Sequence, residues 1–267
     1  MVYNYSFPQL DYDESMNTRR AVHSYSKLLG AIRASMTPEQ KDYWHISLRS
    51  GPQGFRTTPI AQSEGNTFEI TLNLISHNIF ISSLTGQNIN IPIRGQSVCS
   101  LSGELLAALD SIGIKPHIDL AKFQDESQFE YRKDIASEIF RSYSMVDIIF
   151  KKFKGTLKQE TSPCQLWPHH MDIAFTCYPR SESNKIGQVG FGYLTGDETI
   201  EEPYFYITAY PEIEDISDIE LNDGAYWNKE GWQGVVMKYT DLIKSESPAE
   251  NLFRHLQMTF EQIIKKA

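Results

Sequence analysis

Thr67-Phe68-Glu69-Ile70-Thr71-Leu72-Asn73-Leu74 is the stretch that decides the fold. Phe68, Ile70, Leu72 and Leu74 alternate with Thr67, Glu69, Thr71 and Asn73. Side chains on a strand point alternately to opposite faces, so this pattern predicts one buried and one wet face, as in an antiparallel sheet. Upstream, Trp44, Ile46 and Leu48 alternate with His45, Ser47 and Arg49, which predicts another strand. Downstream, strands are predicted near 78–83 and 88–93, set off by Ser76-His77 and Thr85-Gly86-Gln87.

Outside these strands the period changes to 3.6. Val22, Tyr25, Leu28, Leu29 and Ile32 share one stripe of a helix over 14–35. Thr37-Pro38-Glu39-Gln40 has the form of a capping box opening one short turn. Leu101, Leu105, Leu109 and Ile112 predict a second helix over 98–112, stopped by Gly113. The polar segment 114–131 reads as an extended linker. A third helix is predicted over 132–154 and strands at 164–178, 186–194, 203–210 and 232–239. Ser247, Pro248 and Glu250 open a last helix over 248–264, with Phe253, Leu256, Phe260 and Ile263 on its apolar side.

The expected fold is therefore α+β: antiparallel β-sheet strands flanked by four main helices, in one composite domain over 1–267. Both halves, 14–113 and 132–266, read helix, four strands, helix. Ser24-Tyr25-Ser26 and Ser142-Tyr143-Ser144 echo one another. Duplication and a layout merely shared by two halves both account for this.

The chain carries a net charge of −9, which argues against nucleic acid or an anionic membrane as a main partner. Cys99, Cys164 and Cys177 are an odd number without C-x-x-C spacing, so free thiols in a reducing, cytoplasmic compartment are expected. The first residues lack the basic and apolar regions of a signal peptide, and no apolar run is long enough to span a bilayer.

The densest polar constellation is Trp167-Pro168-His169-His170-Met171-Asp172. On a continuous strand His170 and Asp172 would share a face, where they could contact a ligand, hold a metal together or simply hydrogen-bond. Gly196-Asp197-Glu198-Thr199-Ile200-Glu201-Glu202 could add carboxylates to a cation site, with His170, Asp172 and Glu198 as the candidate ligands. Yet no Lys or Arg occurs from Ile186 to Asn228, and Glu212, Glu214, Asp215, Asp218, Glu220 and Asp223 continue the acidic run, so a solvated acidic surface gives the same residues. Gly190 and Gly192 fall on one strand face and lack the order of a phosphate loop; a strand pressed against a backbone or an aromatic ring is expected there. Tyr204, Tyr206, Thr208 and Tyr210 line one face of their strand, which suits either an aromatic-walled pocket or packing under helices. His255 is expected at the surface or its boundary.

These residues carry a resemblance. Trp167 to Phe175, Gly190-Phe191-Gly192 to Thr199, Glu202-Pro203-Tyr204-Phe205-Tyr206 and Gly224-Ala225-Tyr226-Trp227 are similar to the bacterial family of domain of unknown function 5996. Trp44-His45-Ile46 and Thr57-Thr58-Pro59-Ile60 also fit it, over nearly the whole chain. Met171 stands where the family pattern places Phe, a change that conserves volume. The resemblance implies no activity. It also implies that His169 and His170 are not essential to any function the whole family shares.

Three functional readings stand side by side, with cofactor and oligomeric state left open. The first is a small ligand bound in an aromatic and polar cleft of the second half, with Trp167, His170, Asp172, Glu202 and Tyr206 as candidate contacts. The second is a metal-assisted hydrolase in which His170, Asp172 and nearby carboxylates hold a cation that activates water. The third is a protein-interaction module.

Overall fold

The computed structural model describes residues 6–62, 65–179, 186–213, 219–222 and 224–265. In chain order its elements are α1 (Tyr12–Met36), β1 (Arg49–Ser50), β2 (Gly54–Arg56), β3 (Ile60–Ala61), β4 (Thr67–Asn73), β5 (Asn78–Ser83), β6 (Asn88–Pro92) and α2 (Val98–Asp110). Then follow α3 (Lys133–Lys154), β7 (Glu160–Thr161), β8 (Gln165–Trp167), β9 (Asp172–Tyr178), β10 (Gln188–Leu194), β11 (Tyr204–Tyr210), β12 (Ala225–Asn228), β13 (Gly234–Lys238), α4 (Tyr239–Ile243) and α5 (Pro248–Lys265). Short 3₁₀ helices form at Lys41–Ile46 and Leu120–Phe123. The fold is α+β, with two antiparallel sheets and the four long helices where the apolar period predicts them. Among the described residues no helix is long and apolar enough to cross a membrane.

The chain divides into two compact units. The first comprises Asp13–Phe140 and Gln165–Met171. Its sheet runs β1-β2-β4-β5-β6, with β3 pairing β4. The alternation at 67–74 does what it predicts: Phe68, Ile70 and Leu72 are buried, and Ile70 and Leu72 pair with Ile81 and Ile79. Phe140, at the end of this unit's share of α3, meets Phe55 edge-on at 5.5 Å. Residues 114–131 belong to this unit. The Phe129 amide donates to the Gly95 carbonyl at 2.8 Å, and the Phe129 ring meets Tyr25 at 5.7 Å. Gly95 has φ +81, and a Cβ there would lie 2.3 Å from the Phe129 carbonyl oxygen, so only glycine lets the segment close on it.

The second unit comprises Met1–Tyr12, Arg141–Cys164 and Asp172–Ala267. Its sheet runs β12-β13-β11-β10-β9-β7. Register puts Phe175, Phe191 and Ile207 in one row and Ile173, Tyr193, Phe205 and Met237 in the next, all on one face. Helices α3 and α5 cover that face. Phe153 of α3 lies 5.3 Å from Phe191 and 6.2 Å from Phe260 of α5, while Phe150 meets Phe175 at 5.5 Å. Tyr193 donates its hydroxyl to Ser142 Oγ at 2.9 Å, which satisfies a buried phenol inside this aromatic layer.

Three local expectations are corrected. Extended pairing begins only at Leu48, which bridges Leu166, because Lys41–Ile46 coils into a 3₁₀ turn with Asp42 and Tyr43 at φ 52 and 57. The predicted strand over 164–178 is broken: Trp167 ends β8 and Asp172 begins β9. His255 is fully buried on α5, in the stripe formed by Leu252, Leu256, Phe260 and Ile263. Residues 1–5, Glu214, Asp215, Asp218 and Asp223 lie outside the described residues.

Candidate functional site

Between β8 and β9 the chain turns through Pro168, His169, His170 and Met171. The Met171 amide donates to the Trp167 carbonyl at 2.8 Å, and Met171 takes φ +54. Strand alternation therefore begins only at Asp172, and His169 and His170 sit exposed in the turn. His23 of α1 ties this turn down. Its Nε2 lies 2.9 Å from the Pro168 carbonyl and 3.0 Å from that of His169; since carbonyls only accept, Nε2 carries the proton. Burial, and then the nearby Lys27 ammonium, lower the His23 pKa to about 4. A neutral imidazole thus holds the turn.

Asp172 and Tyr206 do meet. The Tyr206 hydroxyl donates to Asp172 Oδ2 at 2.5 Å. Asp172 opposes Leu194 on β10, whereas Tyr206 opposes Gly192, so the bond runs diagonally across β10. It passes over Gly192, where a Cβ would fall 2.1 Å from Tyr206 Cζ and 2.3 Å from its oxygen. This is the ring pressed on a strand that the glycine pattern predicts. Burial, and then the Asp172 carboxylate, push the Tyr206 phenol well above its ordinary pKa, so it remains a donor. Trp232 meets the Tyr206 ring edge-on at 6.1 Å, and Leu194, Ile200, Tyr204 and Val236 pack beside it.

The acidic loop after β10 is folded around Asp197. Its Oδ1 accepts from the Thr199 and Ile200 amides at 2.8 Å each, and its Oδ2 from the Tyr204 hydroxyl at 2.7 Å. Glu202 faces Lys238 Nζ at 2.5 Å and the Thr240 hydroxyl at 2.6 Å. Burial opposes its ionisation, but these two donors hold its carboxyl below the usual range. Glu198 is exposed. Of the predicted contacts, Asp172 and Tyr206 are joined, Glu202 is engaged by Lys238 and Thr240, and Trp167 and His170 lie in the first unit. Among the described residues no three His, Cys, Asp or Glu side chains are grouped to hold a metal ion, so His170, Asp172 and Glu198 do not form a ligand set.

The first unit contains a cleft of about 710 Å³ that strand alternation does not reveal. Its floor follows α1, where Gly30, Ala31 and Ala34 leave the helix surface low. At Gly30 a Cβ would lie 2.9 Å from Pro168 Cγ and 3.1 Å from the Ile46 carbonyl oxygen, so the turn seats directly on the helix. Phe123 and Ile118 supply further apolar wall. Around this floor stand Lys27, Lys122, His117 and His169, with Asp119 the one acidic lining residue among the described residues. Asp119 lies 3.7 Å from Lys122 in an exposed pair. Lys27 has no acidic partner among the described residues. Partial burial first, and then His170, Lys27 and Lys122, lower the His169 pKa. The sequence signal for this site is the small stripe Gly30, Ala31, Ala34 one turn beyond Lys27; the other wall comes from residues far away in the chain.

No curated protein and no solved structure matches this chain. A model of one protein family matches it over residues 7–267, the span that holds both the bonded pair and the cleft. The chain belongs to that family, the family of unknown function DUF5996.

Proposed function

We propose that this protein binds a small organic anion, an apolar body bearing one acidic group, in the cleft of its first unit. The observation that carries this reading is the lysine pair: Lys27 and Lys122 stand over an apolar floor in a chain whose net charge is −9. A volume of about 710 Å³ suits a compact metabolite, since ligand sites commonly occupy about 300–1,000 Å³. The hydroxyl of Ser35, the remaining polar group on the α1 wall, donates to the Ile32 carbonyl at 2.9 Å, which favours binding over nucleophilic chemistry. Asp172, Tyr206 and Glu202 are read as supports of the second unit's sheet. The three free cysteines support a reducing compartment, the bacterial cytoplasm, as the place of work. The acidic balance supports a small molecule over nucleic acid or an anionic membrane surface.

Anilinonaphthalene sulfonate, an aromatic anion whose fluorescence rises in apolar surroundings, is a direct probe. The native protein should bind it saturably. Lys27→Glu with Lys122→Glu should weaken binding about tenfold or more, a loss of ~1.4 kcal/mol or greater. Ala34→Trp, which fills the floor, should abolish the signal without altering either lysine. Equal binding by all three proteins sinks the proposal.

A further inference from the structure

The second unit has a cleft of its own, of about 650 Å³, between α4, α5, the end of β13 and the approach to β12. We propose that it is a site for a free α-amino acid with an apolar side chain.

Two groups in its wall ask for ligands of opposite hydrogen-bonding sense. Arg254 lines the cleft from α5, is exposed, and makes no ion pair or hydrogen bond among the described residues. A guanidinium is a planar fork of donors suited to a carboxylate, so an unengaged Arg at a cleft calls for an acceptor. Asn222 also lines the cleft, and its Oδ1 is buried with no donor among the described residues. That oxygen calls for an N–H or O–H. Asp241 lines the cleft too, its Cβ 3.7 Å from where a Cβ on Gly224 would lie; its contact with Lys244, at 3.4 Å, is an exposed pair that gives little competition.

The remaining wall is apolar and adaptable. Met258 lies four residues beyond Arg254, hence on the same stripe of α5, and Met237 and Leu242 complete a lining suited to an aliphatic or thioether chain. A simple carboxylate would engage Arg254 and leave Asn222 without a donor. A simple amine would do the reverse. An α-amino acid carries both groups on one carbon: carboxylate to Arg254, ammonium to Asn222 Oδ1 and Asp241, side chain against the methionines.

Titration of the full-length protein with L-methionine, L-leucine and L-phenylalanine, followed by calorimetry, tests this. At least one should bind saturably. N-acetyl-L-methionine lacks the ammonium and methioninol lacks the carboxylate, and each should bind about tenfold more weakly or worse. Arg254→Gln, a change at an exposed position, should remove binding of the amino acid while leaving the unfolding midpoint unchanged. Lys27→Glu should leave it intact, because that residue lies in the other unit. The proposal is overturned if none of the three amino acids binds, if Arg254→Gln binds as the parent does, or if acetate or propanoate binds as tightly as L-methionine.

Discussion

Gly192 shows how one missing side chain can organise a sheet. Placing a Cβ 2.1 Å from Tyr206 Cζ is impossible without moving the ring, and moving the ring breaks its bond to Asp172. Gly192→Ala should therefore cost the ~1–3 kcal/mol of overpacking and, beyond it, the ~1.5–3 kcal/mol of one hydrogen bond to a charged group, the bond from Tyr206 to Asp172. Tyr206→Phe removes the donor alone and should cost only the second amount, measured by urea unfolding. If the alanine proves milder than the phenylalanine, the ring does not depend on the glycine. This arrangement was legible in the sequence, because Gly190 and Gly192 fall on one face of a strand beside a run of alternating tyrosines. The placing of His170 and Asp172 on one strand face, which the sequence suggests, is not realised. It presumes a continuous strand, and Met171 at φ +54 ends that strand. Residues other than glycine seldom take positive φ, and no propensity singles out Met for it. The Met171 amide's bond to the Trp167 carbonyl and the seating of Pro168 on Gly30 accompany it.

Helix α5 carries two polar residues on its buried face. His255 and Thr259 are one turn apart, and neither His255 nitrogen nor Thr259 Oγ1 has a partner among the described residues. A lone histidine reads as a surface residue in a sequence, and only the exact angle of the stripe puts it inside: Leu252, Leu256, Phe260 and Ile263 flank it, with Phe253 to one side. Burial lowers the His255 pKa from 6.5 to about 4. The unfolded chain therefore takes up this proton first. Stability is complete above pH 6.5 and falls as the pH drops through the window from 6.5 to about 4. That shift corresponds to a loss of roughly 3 kcal/mol at the bottom of the window. His255→Leu removes both the unpaired nitrogens and the proton uptake. The variant should be at least as stable at pH 7 and should lose less stability between pH 7 and pH 4, as read by chemical unfolding at each pH. His23, also lowered to about 4, keeps part of the acid sensitivity in that variant. An unchanged pH slope would show that His255 is reached by water. The segment at Trp44 is a misreading of another kind: three alternating apolar residues fit a strand, but Asp42 and Tyr43 at positive φ wind the chain into a turn first.

On the scale of the molecule, periodicity found the right elements but not their grouping. It marked four long helices and the main strands, because each signal lies within the element that shows it. The units are assembled differently. The second is built from three separated stretches of chain, and its boundary with the first falls inside α3, after Phe140. No linker composition marks such a place, since a helix can serve two cores without any break in its pattern. The same reason hides the first unit's cleft, whose walls come from α1, from residues 117–123 and from the turn at 168–169. This grouping predicts which fragments fold. A fragment of residues 172–267 retains β9 to β13, α4 and α5, yet lacks Phe150 and Phe153, the rings that cover Phe175 and Phe191. It also lacks Ser142, the acceptor for the buried Tyr193 hydroxyl. Deleting one buried ring of this size costs about 3–5 kcal/mol, and two such losses rival the ~5–15 kcal/mol that holds a whole domain folded. Residues 172–267 alone should therefore show weak near-ultraviolet circular dichroism and unfold without a sharp transition. Residues 141–267 restore both rings and the serine, and should recover aromatic dichroism and a cooperative urea transition. If the shorter fragment already unfolds cooperatively, the C-terminal part of α3 is a covering of the sheet rather than part of its core.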